Sequence, residues 1–236
     1  MRTTIVRTTT LALAFISSAS WAGTINGKVK VDGPTPKRKV IDMSKEPECA
    51  KEYKVDNLPR TENVIAGANN SLSDVVVYIS AGAKDEGVVP SQVVTLDQRG
   101  CRYIKHITAV HVNQKMKITN SDSAIHNVHP LAQVNREWNQ SQTAGSQALD
   151  AKFEQAEFIP VKCNIHPWMH GYIAVLKTNH YGITDTSGGF SLKDLPPGKY
   201  TVTAWHETLG TQTQQVTIGG LNETKSIDFT FKGKAY

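Results

Sequence analysis

Apolar positions in this chain recur at every second residue or in short unbroken runs. Past the N-terminal segment, no apolar period of 3.6 residues continues for three helical turns. Ile25, Val29 and Val31 alternate imperfectly with polar neighbours over residues 23–32 and predict a strand, which Gly33-Pro34-Thr35-Pro36 breaks. Residues 37–69 are polar and weakly patterned; they read as a loop-rich excursion with a short helix at 47–54. The run LSDVVVYIS at 72–80 is nearly continuous in β-branched residues, the pattern of a strand buried on both faces. Further strands are predicted at 92–96, 103–111, 115–119, 152–162 and 171–177, with a polar surface connection over 131–149. After Thr184 the chain reads as strands separated by Gly/Pro turns such as Leu195-Pro196-Pro197-Gly198. The fold class is all-β, and short strands with frequent turns predict sandwich packing.

Composition narrows this picture. With 236 residues, 39% hydrophobic and 20% charged, the chain suits one large or two small folded domains. The formal charge of +5 is spread over many loops without a dense Lys/Arg block, which argues against nucleic acid as the main partner. It is compatible with docking onto an acidic redox protein. Arg2 and Arg7, the apolar run Leu11–Ile16 and the small residues of Ser20-Trp21-Ala22 read as a signal peptide cleaved after Ala22. Its apolar run is too short to span a bilayer, and no later stretch is apolar enough, so the expectation is an exported periplasmic protein without a membrane span.

The chemistry concentrates in Cys163-Asn164-Ile165-His166-Pro167-Trp168-Met169, with Ile125-His126-Asn127-Val128-His129 upstream. A thiolate (Cys163), two imidazoles (His126, His166) and a weak thioether (Met169) are the ligand set of a mononuclear electron-transfer copper site. A strand delivering Cys163, with His166 and Met169 at three-residue steps, lets one loop supply three donors; His126 then comes from another strand end. Zinc is the rival ion. Cys163 with His126, His129 and His166 makes a tetrahedral set, but leaves Met169 idle and asks two imidazoles three apart on an extended segment to converge. Three cysteines are an odd number. With Cys163 in the ligand cluster, Cys49 and Cys101 are the natural disulfide pair in an oxidising compartment; the alternative pairs one of them with Cys163 and leaves no metal site. His106 and His111, five apart on a predicted strand, face opposite sides and read as structural.

The CNIHPWM segment followed by GYIAV, with HNVH upstream, closely resembles the cupredoxins of the amicyanin, plastocyanin and azurin group. The resemblance covers about residues 92–177. It implies a Greek-key β-sandwich with one type 1 copper ion on His126, Cys163, His166 and axial Met169. It also implies that Asn127 braces the ligand loops by hydrogen bonds, and that the edge of His166 meets solvent inside an apolar rim of Pro167 and Trp168, the electron port. GTINGKVKVDGP and TDTSGGFSLKDLPPGKYTVTAWH resemble the carboxypeptidase regulatory-like domain, a smaller transthyretin-like β-sandwich. The expected division is a signal peptide at 1–22, N-terminal strands and excursion at 23–80 belonging to the transthyretin-like sandwich, a cupredoxin domain at 81–180, and a carboxypeptidase regulatory-like sandwich at 181–236. Whether the cupredoxin part is inserted or consecutive stays open at this point. The functional expectation is a periplasmic blue copper protein passing single electrons between partners such as a c-type cytochrome or a dehydrogenase. A copper chaperone or resistance protein is the alternative. No catalytic motif supports an enzyme.

Overall fold

The computed structural model describes residues 22–234 apart from Glu86 and Leu221. The expected signal peptide therefore lies outside the described residues, except for Ala22.

The strands are β1 (Gly23–Asp32), β2 (Val76–Ala81), β3 (Val94–Gln98), β4 (Ile107–His111), β5 (Met116–Asn120), β6 (His126–Pro130), β7 (Gln140–Gln142) and β8 (Leu149–Ala151). They continue as β9 (Glu157–Lys162), β10 (His170–Leu176), β11 (Tyr181–Ile183), β12 (Gly189–Leu195), β13 (Gly198–His206), β14 (Gly210–Ile218), β15 (Thr224–Ser226) and β16 (Phe229–Lys232). One four-residue helix, α1 (Pro47–Ala50), lies in the excursion between β1 and β2.

Among the described residues, four sheets stack with three apolar layers between them. In the outermost sheet β1 pairs with β12, β15 and β16; the next runs β11-β2-β13-β14. Ile25, Val29, Val77, Ile79, Val202 and Phe229 fill the layer between them. A five-stranded sheet, β4-β10-β9-β6-β7, and a three-stranded sheet, β3-β5-β8, enclose a second layer with Ile118, Ile159, Ile173 and Val175. The seam is a third layer, where Val76 meets Ile107, Ala109, Ala174 and Leu176. Aromatic rings close its side: Trp205 stacks on Phe158 at 4.1 Å between centroids and meets Tyr172 edge-on.

This stacking explains the unbroken apolar run of β2. Val75, Val77 and Ile79 belong to the outer core, whereas Val76 and Tyr78 face the seam. Both faces are dry, so alternation disappears. At about 1.5–3 kcal/mol for each fully buried valine side chain, β2 anchors both layers. The same division recurs in β10, with Ile173 and Val175 on one side and Ala174 and Leu176 on the other.

The inner pair of sheets lies between β2 and β11 in sequence, and β2 pairs with β11 directly. The inner sandwich is thus inserted into the outer one. Several local expectations differ from what is observed. The strand expected over 152–162 begins only at Glu157, and the helix expected over 47–54 is confined to Pro47–Ala50. The strand expected over 103–111 begins only at Ile107, because Tyr103 turns back to bridge Gln98 and Ile104 donates to the Asp97 carbonyl. The connection over 131–149 includes β7 and the first residue of β8, whose polar sequences carry no period-two signal.

Candidate metal centre

The site forms where β6 begins and β9 ends. β5 runs into a turn at Asn120, whose side-chain amide donates to the carbonyls of Ala124 and Gln142 at 2.9 and 3.0 Å. Its side-chain oxygen accepts the Asp122 amide at 3.0 Å. This Asx geometry is the local reason an Asn stands there. The turn delivers His126 to the first position of β6. β9 delivers Cys163, and the chain closes a tight loop: Cys163 N–H donates to the Met169 carbonyl and Met169 N–H to the His166 carbonyl, both at 2.9 Å. Cys163 and His166 therefore face inward together, and Met169 is buried in the same cluster as Cys163.

His126, Cys163 and His166 converge, each offering a donor atom within 4.8 Å of the others. Their exposures are 0, 3 and 2%, and Met169 is 1% exposed, so water does not compete freely for the donors. The two Nδ1 atoms face each other at 3.0 Å, and Cys163 Sγ lies 3.6 Å from His166 Nδ1. Donor atoms held about 2.0–2.3 Å from a common ion have separations of this order.

The far nitrogens explain which face is presented. His126 Nε2–H donates to Asp122 Oδ2 at 2.7 Å, and a carboxylate can only accept. His166 Nε2 lies 3.5 Å from Cys49 Sγ, a disulfide sulfur with no proton to give. Both Nε2 atoms are thus turned away from the cluster, and the two Nδ1 atoms face inward, where each can offer a lone pair to a shared ion. A proton on one Nδ1 donated to the other, or a metal ion between them, accounts for the 3.0 Å contact.

Asp122 is itself fixed by the amides of Gly100 at 2.6 Å and Cys101 at 2.8 Å. Burial would raise its carboxyl, but the His126 and backbone bonds hold it below the usual range. Burial likewise works against the Cys163 thiol's ionisation, yet bonds to His126, His166 and the Asn127 amide bring it down to about 5. The third donor is thus a thiolate at neutral pH. Asn127 braces both loops: its Oδ1 accepts the Asn164 amide at 2.7 Å, its Nδ2 donates to Asn139, and its backbone N–H points at Cys163 Sγ at 3.5 Å. His129 turns away, bonding Glu137 at 2.6 Å and Asn164 at 3.2 Å.

Cys49 and Cys101 form a disulfide, and Cys163 is a free thiol. One expectation needs correction. His166 does not present its edge to solvent, because the excursion folds back over the site. The disulfide, Ile41, Met43 and Trp168 pack together there, with Trp168 Nε1 donating to the Cys101 carbonyl at 3.1 Å. Pro167 is exposed, Trp168 is half-buried, and the Trp168 ring lies 5.3 Å from that of His166. Asp122 was not among the site residues expected from the sequence; the available signal was a carboxylate in the turn four residues before a ligand-type histidine.

The family model described as the carboxypeptidase regulatory-like domain matches residues 172–232. No curated protein matches the chain. Among solved structures, a reduced amicyanin variant is 22% identical with a TM-score of 0.34, over 42% of this chain and 98% of that one. A purple cupredoxin from Nitrosopumilus maritimus is 19% identical with a TM-score of 0.31, over 35% of this chain and 99% of that one. A Cu-containing nitrite reductase (NirK) from Thermus scotoductus SA-01 is 19% identical with a TM-score of 0.34, over 42% of this chain and 25% of that one. The chain combines a carboxypeptidase regulatory-like segment with a β-sandwich similar to amicyanin and other cupredoxins.

Proposed function

We propose that this protein binds one copper ion at His126, Cys163 and His166, with Met169 as the weak fourth ligand, and carries single electrons between periplasmic redox proteins. The observation that carries the reading is the pair of facing Nδ1 atoms beside the Cys163 sulfur, with the far nitrogen of His126 held by the Asp122 carboxylate. Two imidazoles with soft sulfur donors favour copper over harder ions. Copper bound there would supply reversible one-electron chemistry between Cu(II) and Cu(I). The chain's own residues keep the donors still: Asp122 fixes the His126 ring, Asn127 ties the loops, and the disulfide backs His166. Little rearrangement then accompanies a change of oxidation state.

Burial of every donor supports a carrier that holds its ion, rather than a chaperone that hands it on. Trp168, against His166 and partly exposed beside Pro167, is the proposed contact with the partner, such as a c-type cytochrome or a dehydrogenase. A disulfide persists in an oxidising compartment, which supports the periplasm. The test is the visible and EPR spectrum of the copper-loaded protein. Intense thiolate-to-copper absorption, lost in Cys163→Ala, is the expected result. Absence of that band overturns the reading, and rapid transfer of Cu(I) to an acceptor protein replaces it with the chaperone.

A further inference from the structure

A second convergence of donors lies at the seam, away from Cys163. His106 immediately precedes β4, His170 opens β10, and Glu207 follows β13 in the turn toward β14. The first two belong to the inner sandwich and the third to the outer one. Each offers a ligand atom within 4.8 Å of the other two. The side chains of His106 and Glu207 are 2% and 7% exposed, and His106 Nε2 is hydrogen-bonded to Glu207 Oε1. The His170 ring stands edge-on to His106, with centroids 5.4 Å apart. A Cβ at residue 171 would lie 2.5 Å from the His106 carbonyl oxygen, so Gly171 is what lets β10 bring His170 this close. On the other side, His206 Nδ1 accepts the amides of Thr208 and Leu209, shaping the turn that presents Glu207.

A simple ion pair between His106 and Glu207 leaves much of this unexplained. Among the described residues, His106 Nδ1 is buried without a hydrogen-bond partner, and Glu62 Oε2 lies 3.8 Å from it. Glu62 is held in turn by Arg102. A ring whose one nitrogen faces a donor cluster while the other faces a carboxylate has the arrangement of a histidine oriented for a metal.

We propose that His106, His170 and Glu207 form a second metal site, for a divalent ion of the zinc class, with Glu62 orienting His106. The ion takes the place of the proton between His106 Nε2 and Glu207 Oε1, which passes to solvent. Two imidazoles and one carboxylate suit zinc, with water as a fourth ligand. The set has no sulfur to retain Cu(I). Because its ligands come from both sandwiches, the ion acts as a clasp across the seam.

The inference is independent of the copper reading. The test titrates Zn²⁺ by equilibrium dialysis into the full chain, with the first site already loaded with copper and loose metal removed. One zinc per chain at micromolar free zinc, with a rise in Tm, is expected. His170→Ala and Glu207→Gln should each weaken it about tenfold or more. Circular dichroism in chelator establishes that both variants remain folded. Cys163→Ala, which removes the other site's thiolate, retains the zinc that His170→Ala loses, so failure of one site is told apart from failure of the other. The inference is overturned if copper-loaded protein takes up no zinc, or if both folded variants bind it as tightly as the parent.

Discussion

Replacing Asp122 by asparagine and by alanine separates two roles of one carboxylate. Oδ1 accepts the Gly100 amide, while Oδ2 accepts both the Cys101 amide and His126 Nε2–H. An asparagine placed with its oxygen at the Oδ2 position keeps the last two bonds and turns an NH₂ group toward the Gly100 N–H. The cost is one buried donor left facing another, about 1–3 kcal/mol of stability, with some weakening of the remaining bonds as charge assistance is lost. His126 still donates through Nε2, so its Nδ1 stays bare and copper still binds. Asp122→Ala removes every acceptor. Stability falls by about 3 kcal/mol or more, and the freed imidazole can move its proton to Nδ1, lowering copper affinity about 10–100-fold. Urea unfolding of the metal-free, disulfide-intact protein measures the first quantity, and competition against a copper chelator the second. Parent, asparagine and alanine should rank in that order in both. An alanine variant that binds copper as tightly as the parent refutes the account of how the His126 ring is set.

Met169→Gln should keep copper but lower the reduction potential, read by spectroelectrochemical titration; an unchanged potential removes Met169 from the axial position. Reducing the Cys49–Cys101 bond, or Cys49→Ser with Cys101→Ser, opens a loop of sequence separation 52. It should cost about 4 kcal/mol on the loop-entropy relation, measured by urea unfolding. Glu157 accepts the amides of Gln133, Val134 and Asn135 and the Asn135 side chain; burial opposes its ionisation, but those bonds hold it below its ordinary 4.5. Its contribution is therefore full above about pH 4.5 and lost as pH falls through the lower, folded value. Thermal unfolding between pH 6 and 3 should show a smaller acid loss in Glu157→Gln than in the parent.

Much of this was legible in the chain because the signals were local. The run at Val75–Ile79 declared a doubly buried strand, and the Cys163, His166 and Met169 spacing placed three donors in one loop. What escaped was set by contacts distant in sequence. Glu48 and Cys49 read as part of a polar excursion, and nothing nearby says that this helix folds over His166. Gln140–Gln142 is polar throughout and forms a strand only because β6 offers an edge. The seam cluster joins Glu62, His106, His170 and Glu207, which are far apart in sequence and share no local motif. The five-residue spacing of His106 and His111 says nothing of Glu207, which meets His106 from the other sandwich.

The insertion also sets an order of assembly. All pairs within the inner sandwich close between Val94 and Leu176, whereas Ile25 waits for Leu192 and Val29 for Phe229. A chain emerging from its N-terminus therefore presents β1 and β2 long before their neighbours exist, with the edges of both strands bare. The inner unit can condense first, on contacts of short reach, while closing the outer layers is the slow, non-local step. Until then β1 is the segment most open to wrong pairing, and its alternate lysines, Lys28 and Lys30, supply the charge that discourages it.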